Sequence, residues 1–214
     1  MVLPAGFMGE YLAVVNSNIA GGKSDAFISQ KVKFFSKIDK LGQIKNKVLV
    51  ERTHSGQNEK DWWYRSTNRN FIQIYATPGA ELQKITGATK KTIKPLVDYQ
   101  KGTFFSDGDL KKLENAQELP FGKTIFPSWL EVKAGATGKL ELEYSSKSRV
   151  NLASGIYQFI FEKQSGVDNS LELEIEAPEG YVWEGGDSKI FSYSSFNVPS
   201  RLALSLQLKK QSPQ

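Results

Sequence analysis

The chain has 214 residues, with 28 lysines and arginines, 23 aspartates and glutamates, one histidine and no cysteine. The lack of cysteine excludes disulfides, thiol nucleophiles and thiolate metal sites, and one histidine leaves little room for a histidine-rich metal centre. We therefore expect no cofactor and no bound metal. Residues 1–104 carry 16 basic and 8 acidic side chains, and residues 105–214 carry 12 and 15. An anionic partner would thus be expected on the first half, although solvated strand lysines explain the same charge more simply.

The N-terminal segment does not have the composition of a membrane span or a signal peptide. Its most apolar stretch, Tyr11–Val15, is far shorter than the roughly 20 residues that a spanning helix needs. Residues 1–9 contain no lysine or arginine, which a signal peptide would carry before its apolar part. We expect no membrane insertion by this chain.

Strands dominate the predicted secondary structure. Apolar and polar residues alternate with a period of two, which is typical of half-buried strands, and β-branched and aromatic residues are enriched between Gly and Pro turn signals. The pattern predicts a short helix over residues 107–116, capped by Asp107 and Asp109. The predicted strands are 11–16, 26–38, 47–53, 70–76, 81–86, 124–132, 140–144, 156–163, 171–175, 181–183, 189–194 and 202–208.

These elements predict an all-β fold, an antiparallel immunoglobulin-like β-sandwich with one or two packed modules and one short helix. We expect residues 1–25 to form an N-terminal strand and polar loop that pack with the C-terminal module. Residues 26–147 would form the first sandwich module and residues 148–214 the C-terminal β module. The run 156–163 is apolar on both faces, so it is predicted to lie centrally with both faces covered.

The polar loop after the first strand contains Asn16, Asn18, Lys23 and Asp25. Its Gly-Lys-Ser sequence is not a phosphate-binding loop, because Ser17 occupies the position of the required first glycine and a strand follows instead of a helix. Asparagine and aspartate side chains stabilise tight reversals by hydrogen bonds to nearby backbone. The same side chains could contact a glycan or a peptide, and composition does not separate the two roles.

His54 ends a predicted strand and enters a long polar loop. A catalytic histidine needs an orienting acid and a nucleophile within hydrogen-bond reach, and the spacing of residues around His54 suggests neither. We predict that it fixes the loop by hydrogen bonds and keep it as a tentative ligand contact. No catalytic residue is predicted.

The same loop carries Trp62, Trp63, Tyr64 and Arg65 in an otherwise polar segment. Adjacent tryptophans of an extended chain cannot both face one core, so either one indole plugs the open end of the sandwich or the pair lies exposed. An exposed tryptophan beside an arginine suits stacking on a sugar or on a protein surface. We take these four residues as tentative ligand-binding residues.

Several stretches of the chain agree in order and spacing with a known family. They are residues 11–28, 51–56, 70–75, 78–82, 121–126, 140–144 and 162–166. These stretches resemble the C-terminal region of the DUF4012 family, large bacterial proteins of unknown function. The resemblance implies a short member or an excised C-terminal part, displayed at the outer face of a bacterial envelope. The family has no established catalytic residues to carry over.

The sequence therefore predicts a non-enzymatic, extracytoplasmic β-sandwich module for adhesion, envelope assembly or ligand binding. Its expected partner is a cell-wall glycan or an envelope protein, and not a nucleic acid. Two alternatives stay open at this point: an enzyme that acts on envelope polysaccharide with two carboxylates, and a purely structural spacer.

Overall fold

The computed structural model describes residues 3–90, 118–119, 122–166 and 169–211. Two 3-10 turns, Ser24–Phe27 and Gly56–Asn58, and a single-turn helix α1, Trp62–Arg65, accompany the strands of this part of the chain. The strands are β1 (Gly9–Asn18), β2 (Ile28–Ile38), β3 (Gln43–His54), β4 (Asn68–Ala76), β5 (Glu81–Thr86), β6 (Glu118–Leu119), β7 (Lys123–Val132), β8 (Thr137–Arg149), β9 (Ile156–Lys163), β10 (Asn169–Glu176), β11 (Tyr181–Trp183), β12 (Ile190–Ser195) and β13 (Arg201–Lys210).

Two sheets pack face to face, which confirms the predicted all-β sandwich. The first sheet has the strand order β11-β13-β9-β1-β4-β7-β6, and the second has the order β12-β10-β2-β3-β8-β5. Two pairs depart from the antiparallel expectation, because β1 is parallel to β9 and β2 is parallel to β10. Alternation along a strand reports which face is buried and carries no information about the direction of the neighbouring strand.

Apolar side chains from both sheets fill one continuous core. Phe34 of β2 meets Phe159 of β9 with ring centroids 4.9 Å apart, and Phe126 of β7 meets Tyr144 of β8 at 5.4 Å. Each fully buried side chain of this size contributes about 2–3 kcal/mol relative to its exposed state. The core is therefore the main source of stability, as expected for a chain without disulfides.

Strand β9 lies inside the first sheet, as predicted for this run; its inner face is buried and its outer face is covered at Ile160, whereas Ile156 at its start is 41% exposed. Tyr157, Phe159 and Phe161 point into the sandwich core. On the opposite face, Ile160 packs in a smaller cluster with Tyr11 of β1 and with residues 3 and 7 of the N-terminal segment. The N-terminal segment thus supplies part of the cover that a two-sided apolar strand requires.

The strands of the expected modules are interleaved. From residues 148–214, β9, β11 and β13 join the first sheet, and β10 and β12 join the second. Strand β9 bonds to β1, and β10 bonds to β2. The described strands from residues 1–25, 26–147 and 148–214 consequently share two sheets and one core.

The helix predicted over residues 107–116 lies outside the described residues. Helix α1 instead occurs in the segment that was expected to be a polar loop. Within the described part of the chain, no helix has the length and apolar character needed to cross a membrane.

The carboxyl group of Glu10 lies inside the sandwich and is fully shielded from solvent. The Thr77 hydroxyl donates a hydrogen bond to Glu10 Oε2 at 3.0 Å, while Glu10 Oε1 has no hydrogen-bond partner among the described residues. Burial raises the pKa of Glu10 from its ordinary value of 4.5 to about 7, and the polar side chains of Ser146, Thr77 and Asn46 nearby oppose that shift. The folded protein thus holds a proton here that the unfolded chain releases more readily.

We expect this proton to make the free energy of unfolding depend on pH. Because the pKa of Glu10 is higher in the folded state, the contribution of Glu10 to stability is fully present below pH 4.5, falls as the pH rises toward 7, and is then lost. The shift corresponds to about 3 kcal/mol. Glu10→Gln should remove most of this fall, measured by urea unfolding at about pH 5 and about pH 8.

The exposed Glu179 gives a matched control. Glu179→Gln should keep the pH dependence of the wild-type protein, because its carboxylate meets solvent in both states. An unchanged pH dependence in the Glu10→Gln protein would contradict the assignment of the buried proton to Glu10.

Candidate functional site

Three loops meet at one end of the sandwich, which we call the loop end. They are residues 19–27 after β1, residues 55–67 after β3, and residues 164–166 after β9. All the residues that the sequence singled out as tentative ligand contacts lie in these loops or in the strand ends beside them. The loop end is therefore the place to look for a binding site.

Asn18 and Ser24 hold the first loop in a tight reversal. Asn18 Nδ2 donates hydrogen bonds to the Gly21 carbonyl at 3.3 Å and to Ser24 Oγ at 3.1 Å, and the Ser24 hydroxyl donates to the same carbonyl at 2.7 Å. Gly22 has φ +62°, and a Cβ there would lie 2.4 Å from Ser66 Oγ. The loop therefore needs glycine at this position to pack against the second loop.

The two predicted polar loops contact each other directly, which the sequence did not indicate. The Lys23 backbone N–H donates to the Trp63 carbonyl at 3.0 Å, and the Ser66 hydroxyl donates to the Gly21 carbonyl at 2.8 Å. The ring of Tyr64 meets Phe27 edge to face with centroids 5.1 Å apart. Helix α1 and the residue after it are thus fastened to the first loop by backbone, hydroxyl and aromatic contacts.

The aromatic side chains of α1 divide between burial and exposure. Trp63 and Tyr64 are half-buried, whereas Trp62 is 67% exposed and Arg65 is also exposed. The rings of Trp62 and Trp63 pack edge to face at 5.9 Å, and those of Trp63 and Tyr64 at 6.1 Å. The three rings therefore pack in a row, and the indole of Trp62 at the end of this row faces solvent.

His54 lies beneath the second loop and is fully buried. The Gly56 N–H donates to His54 Nδ1 at 3.1 Å, so the ring proton sits on Nε2 and is donated to the Ser66 carbonyl at 3.1 Å. Both ring nitrogens thus hold the loop that carries α1. In this arrangement His54 positions the loop from inside and presents neither nitrogen to solvent.

A buried polar network underlies the loop end, and sequence reasoning missed most of it. Arg52 Nη1 donates to Gln30 Oε1 at 2.7 Å, and Gln30 Nε2 donates to Asn169 Oδ1 at 2.9 Å. Arg52 Nη2 lies 3.4 Å from Asp25 Oδ1, which also accepts a hydrogen bond from Asn68 Nδ2 at 2.8 Å. Four strands, β2, β3, β4 and β10, and the first loop are therefore linked through the network around Arg52.

Burial makes the cationic form of Arg52 costly. It lowers the pKa of the Arg52 guanidinium to about 10, and the charge of Asp25 opposes that shift. The guanidinium thus stays charged at neutral pH. Among the described residues, neither Arg52 Nε nor the buried Asn169 Nδ2 has a hydrogen-bond partner.

A small pocket of about 210 Å³ opens beside the Arg52–Asp25 pair. Asn16, Asp25 and Arg52 line it, together with Gln164. Gln164 continues the pairing of β1 with β9, because Gln164 Oε1 accepts from the Asn16 N–H at 2.8 Å and Gln164 Nε2 donates to the Asn16 carbonyl at 3.0 Å. Of the predicted contacts, Asn16 and Asp25 line this pocket, while Lys23 is exposed on the loop beside it.

A signal for the missed residues was present in the strand pattern. Gln30 lies in phase with Val32 and Phe34 along β2, and Arg52 lies in phase with Val50 along β3. Polar residues at core-facing positions must find partners in the interior. Such in-phase polar residues therefore predict a buried network even when their partners are unknown.

Comparisons with known proteins give little further information. A scan against protein-family models finds no match to this chain, and a search of curated proteins finds none. Among solved structures, a candidate nutrient-binding protein from Legionella pneumophila subsp. pneumophila str. Philadelphia 1 is similar with a TM-score of 0.48 and 10% identity, over 94% of this chain and 71% of that chain. These values are too low to transfer a function, and the resemblance to the DUF4012 family stays a prediction.

We expect Arg52→Leu to destabilise the fold by about 2–4 kcal/mol, because it leaves Gln30 and Asp25 without their buried partner. Arg69→Leu, at an exposed position of β4, is the matched control and should change stability by less than about 0.5 kcal/mol. Urea unfolding measures both. Equal effects of the two substitutions would contradict a structural role for the Arg52 network.

Proposed function

We propose that this chain is a non-enzymatic, extracytoplasmic binding module whose ligand, a cell-wall glycan, docks on Trp62 at the loop end. The observation that carries the proposal is the exposed indole of Trp62, fixed by a row of packed rings on a short turn. The apolar face of a sugar ring packs well on an indole, and its hydroxyl groups need polar partners nearby.

The contacts that hold the turn carrying Trp62 favour a binding role for its exposed indole. Trp62 packs on Trp63, and Tyr64 packs on Phe27. Hydrogen bonds from Lys23 and Ser66 fasten the same turn to the first loop. A ring that is already ordered loses little conformational entropy when a ligand docks, so more of the contact energy is retained as affinity.

Polar groups around the indole support a glycan as the ligand. Lys23 and Arg65 are exposed in the two loops that form this surface, and the side chain of Asp25 is about half exposed. These groups offer both donors and acceptors, which matches the mixed hydrogen bonding of sugar hydroxyls.

The polar groups of the loop end support binding without catalysis. Both ring nitrogens of His54 are hydrogen-bonded to the loop backbone. The carboxylate of Asp25 accepts a hydrogen bond from Asn68 Nδ2 and lies 3.4 Å from Arg52 Nη2. A general acid or base must be able to exchange a proton with its substrate.

The resemblance to the DUF4012 family supports display at the outer face of a bacterial envelope.

Trp62→Ala tests the proposal. We expect it to weaken binding to purified cell-wall polysaccharide, or to the best ligand on a glycan array, by about tenfold, since a tryptophan at the centre of an interface commonly contributes more than about 1.4 kcal/mol. The melting temperature should change little, because the indole is mostly outside the fold.

Leu41, which is 66% exposed in the turn between β2 and β3 at the opposite end of the sandwich, gives the matched control. Leu41→Ala removes an exposed apolar side chain away from the loop end and should leave glycan binding within about twofold of wild type. Binding of a neutral glycan that survives Trp62→Ala would overturn the site, and failure of the wild-type protein to bind any glycan would overturn the ligand class.

A further inference from the structure

A second concave surface lies on the outer face of the second sheet, where β3, β8 and β5 pair irregularly. Residues 146–148 of β8 stand opposite the single residue Ile44 of β3. On the other side of β8, the pairing with β5 shifts at Gln83. Bulges of this kind bend a strand and redirect its side chains. They open a groove of about 820 Å³, which we call the basic groove.

The charges of the basic groove are unevenly matched. Five cationic and two acidic side chains line it. Lys45, Lys147 and Arg149 are exposed, and none has an acidic partner within 4.0 Å among the described residues. Other outer-face lysines of the same sheet do pair with glutamates, namely Lys31, Lys33, Lys37, Lys47 and Lys139.

This contrast separates the groove from ordinary solvated lysines. Where lysines serve only to keep a sheet edge soluble, pairing with neighbouring glutamates lowers the local charge at little cost. Three unpaired cations in one concavity instead raise the local concentration of anions. The groove therefore selects an anionic ligand.

The remaining lining groups point to a saccharide. Gln43 and Gln83 line the groove, and the half-buried ring of Phe35 lies on its wall. Gln43 Nε2 donates to the Ser146 carbonyl and Gln83 Nε2 to Ser145 Oγ, so it is the amide oxygens that are left to accept hydrogen bonds from sugar hydroxyls. An aromatic ring packs on the C–H face of a sugar. A simple polyphosphate site would need only the cations.

We propose that the basic groove binds an acidic oligosaccharide, at a site separate from the Trp62 surface. Lys45 and Arg52 lie on the same strand seven residues apart, which corresponds to roughly 23 Å. The two sites thus occupy opposite ends of the sandwich. If the experiment contradicts one proposed site, the proposal for the other still stands, because each site has its own test.

The test compares two triple variants of equal charge. Lys45→Gln, Lys147→Gln and Arg149→Gln together remove the unpaired cations of the groove. Lys133→Gln, Lys163→Gln and Lys210→Gln remove three lysines outside it and serve as the control. The probes are an oligogalacturonate, a neutral dextran oligomer of the same length, and inorganic polyphosphate, each titrated at about 50 mM salt and again at about 300 mM.

The groove variant should bind the oligogalacturonate at least tenfold more weakly at low salt, and the control variant should stay within about twofold of wild type. The neutral oligomer should bind the two variants equally, because it gains nothing from the groove cations. Equal losses in the two variants would overturn the proposal, because they would reflect net charge alone. Melting temperatures check that both variants remain folded.

Phe35→Ala tests the saccharide part of the proposal. It should weaken binding of the oligogalacturonate several-fold and leave binding of polyphosphate unchanged, because only the sugar has an apolar face. Tighter binding of polyphosphate than of oligogalacturonate, with no effect of Phe35→Ala on the latter, would overturn the saccharide assignment. Trp62→Ala should not change binding at the groove.

Discussion

The parallel pairing of β1 with β9 is the interaction on which the rest of the sandwich depends. It places an N-terminal strand between β9 and β4 in the centre of the first sheet, where its two faces contribute to two apolar clusters. The same pairing buries the carboxyl group of Glu10 at one end and aligns Asn16 with Gln164 at the other. The buried proton and the loop end are thus both consequences of where β1 lies. Because β2 and β10 repeat the parallel arrangement in the second sheet, the chain's early and late strands cannot separate into independent units.

The loop end combines a buried polar base with an exposed aromatic surface. Arg52 ties the first loop to the strands below, and His54 ties the second loop to the same strand. Buried polar groups of this kind contribute little net stability, yet they permit few alternative arrangements because each broken partner is costly. The position of Trp62 is therefore set by groups that no ligand touches. The basic groove follows a different construction, in which a strand irregularity and unpaired charge define the surface.

The fold could be predicted from the sequence further than the sites could. Alternation and turn residues gave the strands closely, including the bounds of β5, β9 and β11, because burial of one face imposes a period of two. The parallel pairs could not be predicted, since that period does not depend on the partner strand. Trp62–Arg65 was recognised as unusual, but its helical turn and its contact with Phe27 depend on a loop distant in sequence. The basic groove could not be predicted, because the residue pattern of 137–149 does not indicate that β8 contains a bulge.

The long-range pairing of β1 also determines when the chain can finish folding. Met8 and Gln158 are hydrogen-bonded across 150 residues, so closing this contact requires a very long loop. Topologies built on such contacts fold slowly compared with those built on local hairpins. During synthesis about 140 residues are made between β1 and β9. The strand that holds the centre of the first sheet therefore waits for most of this sequence before it is fully paired.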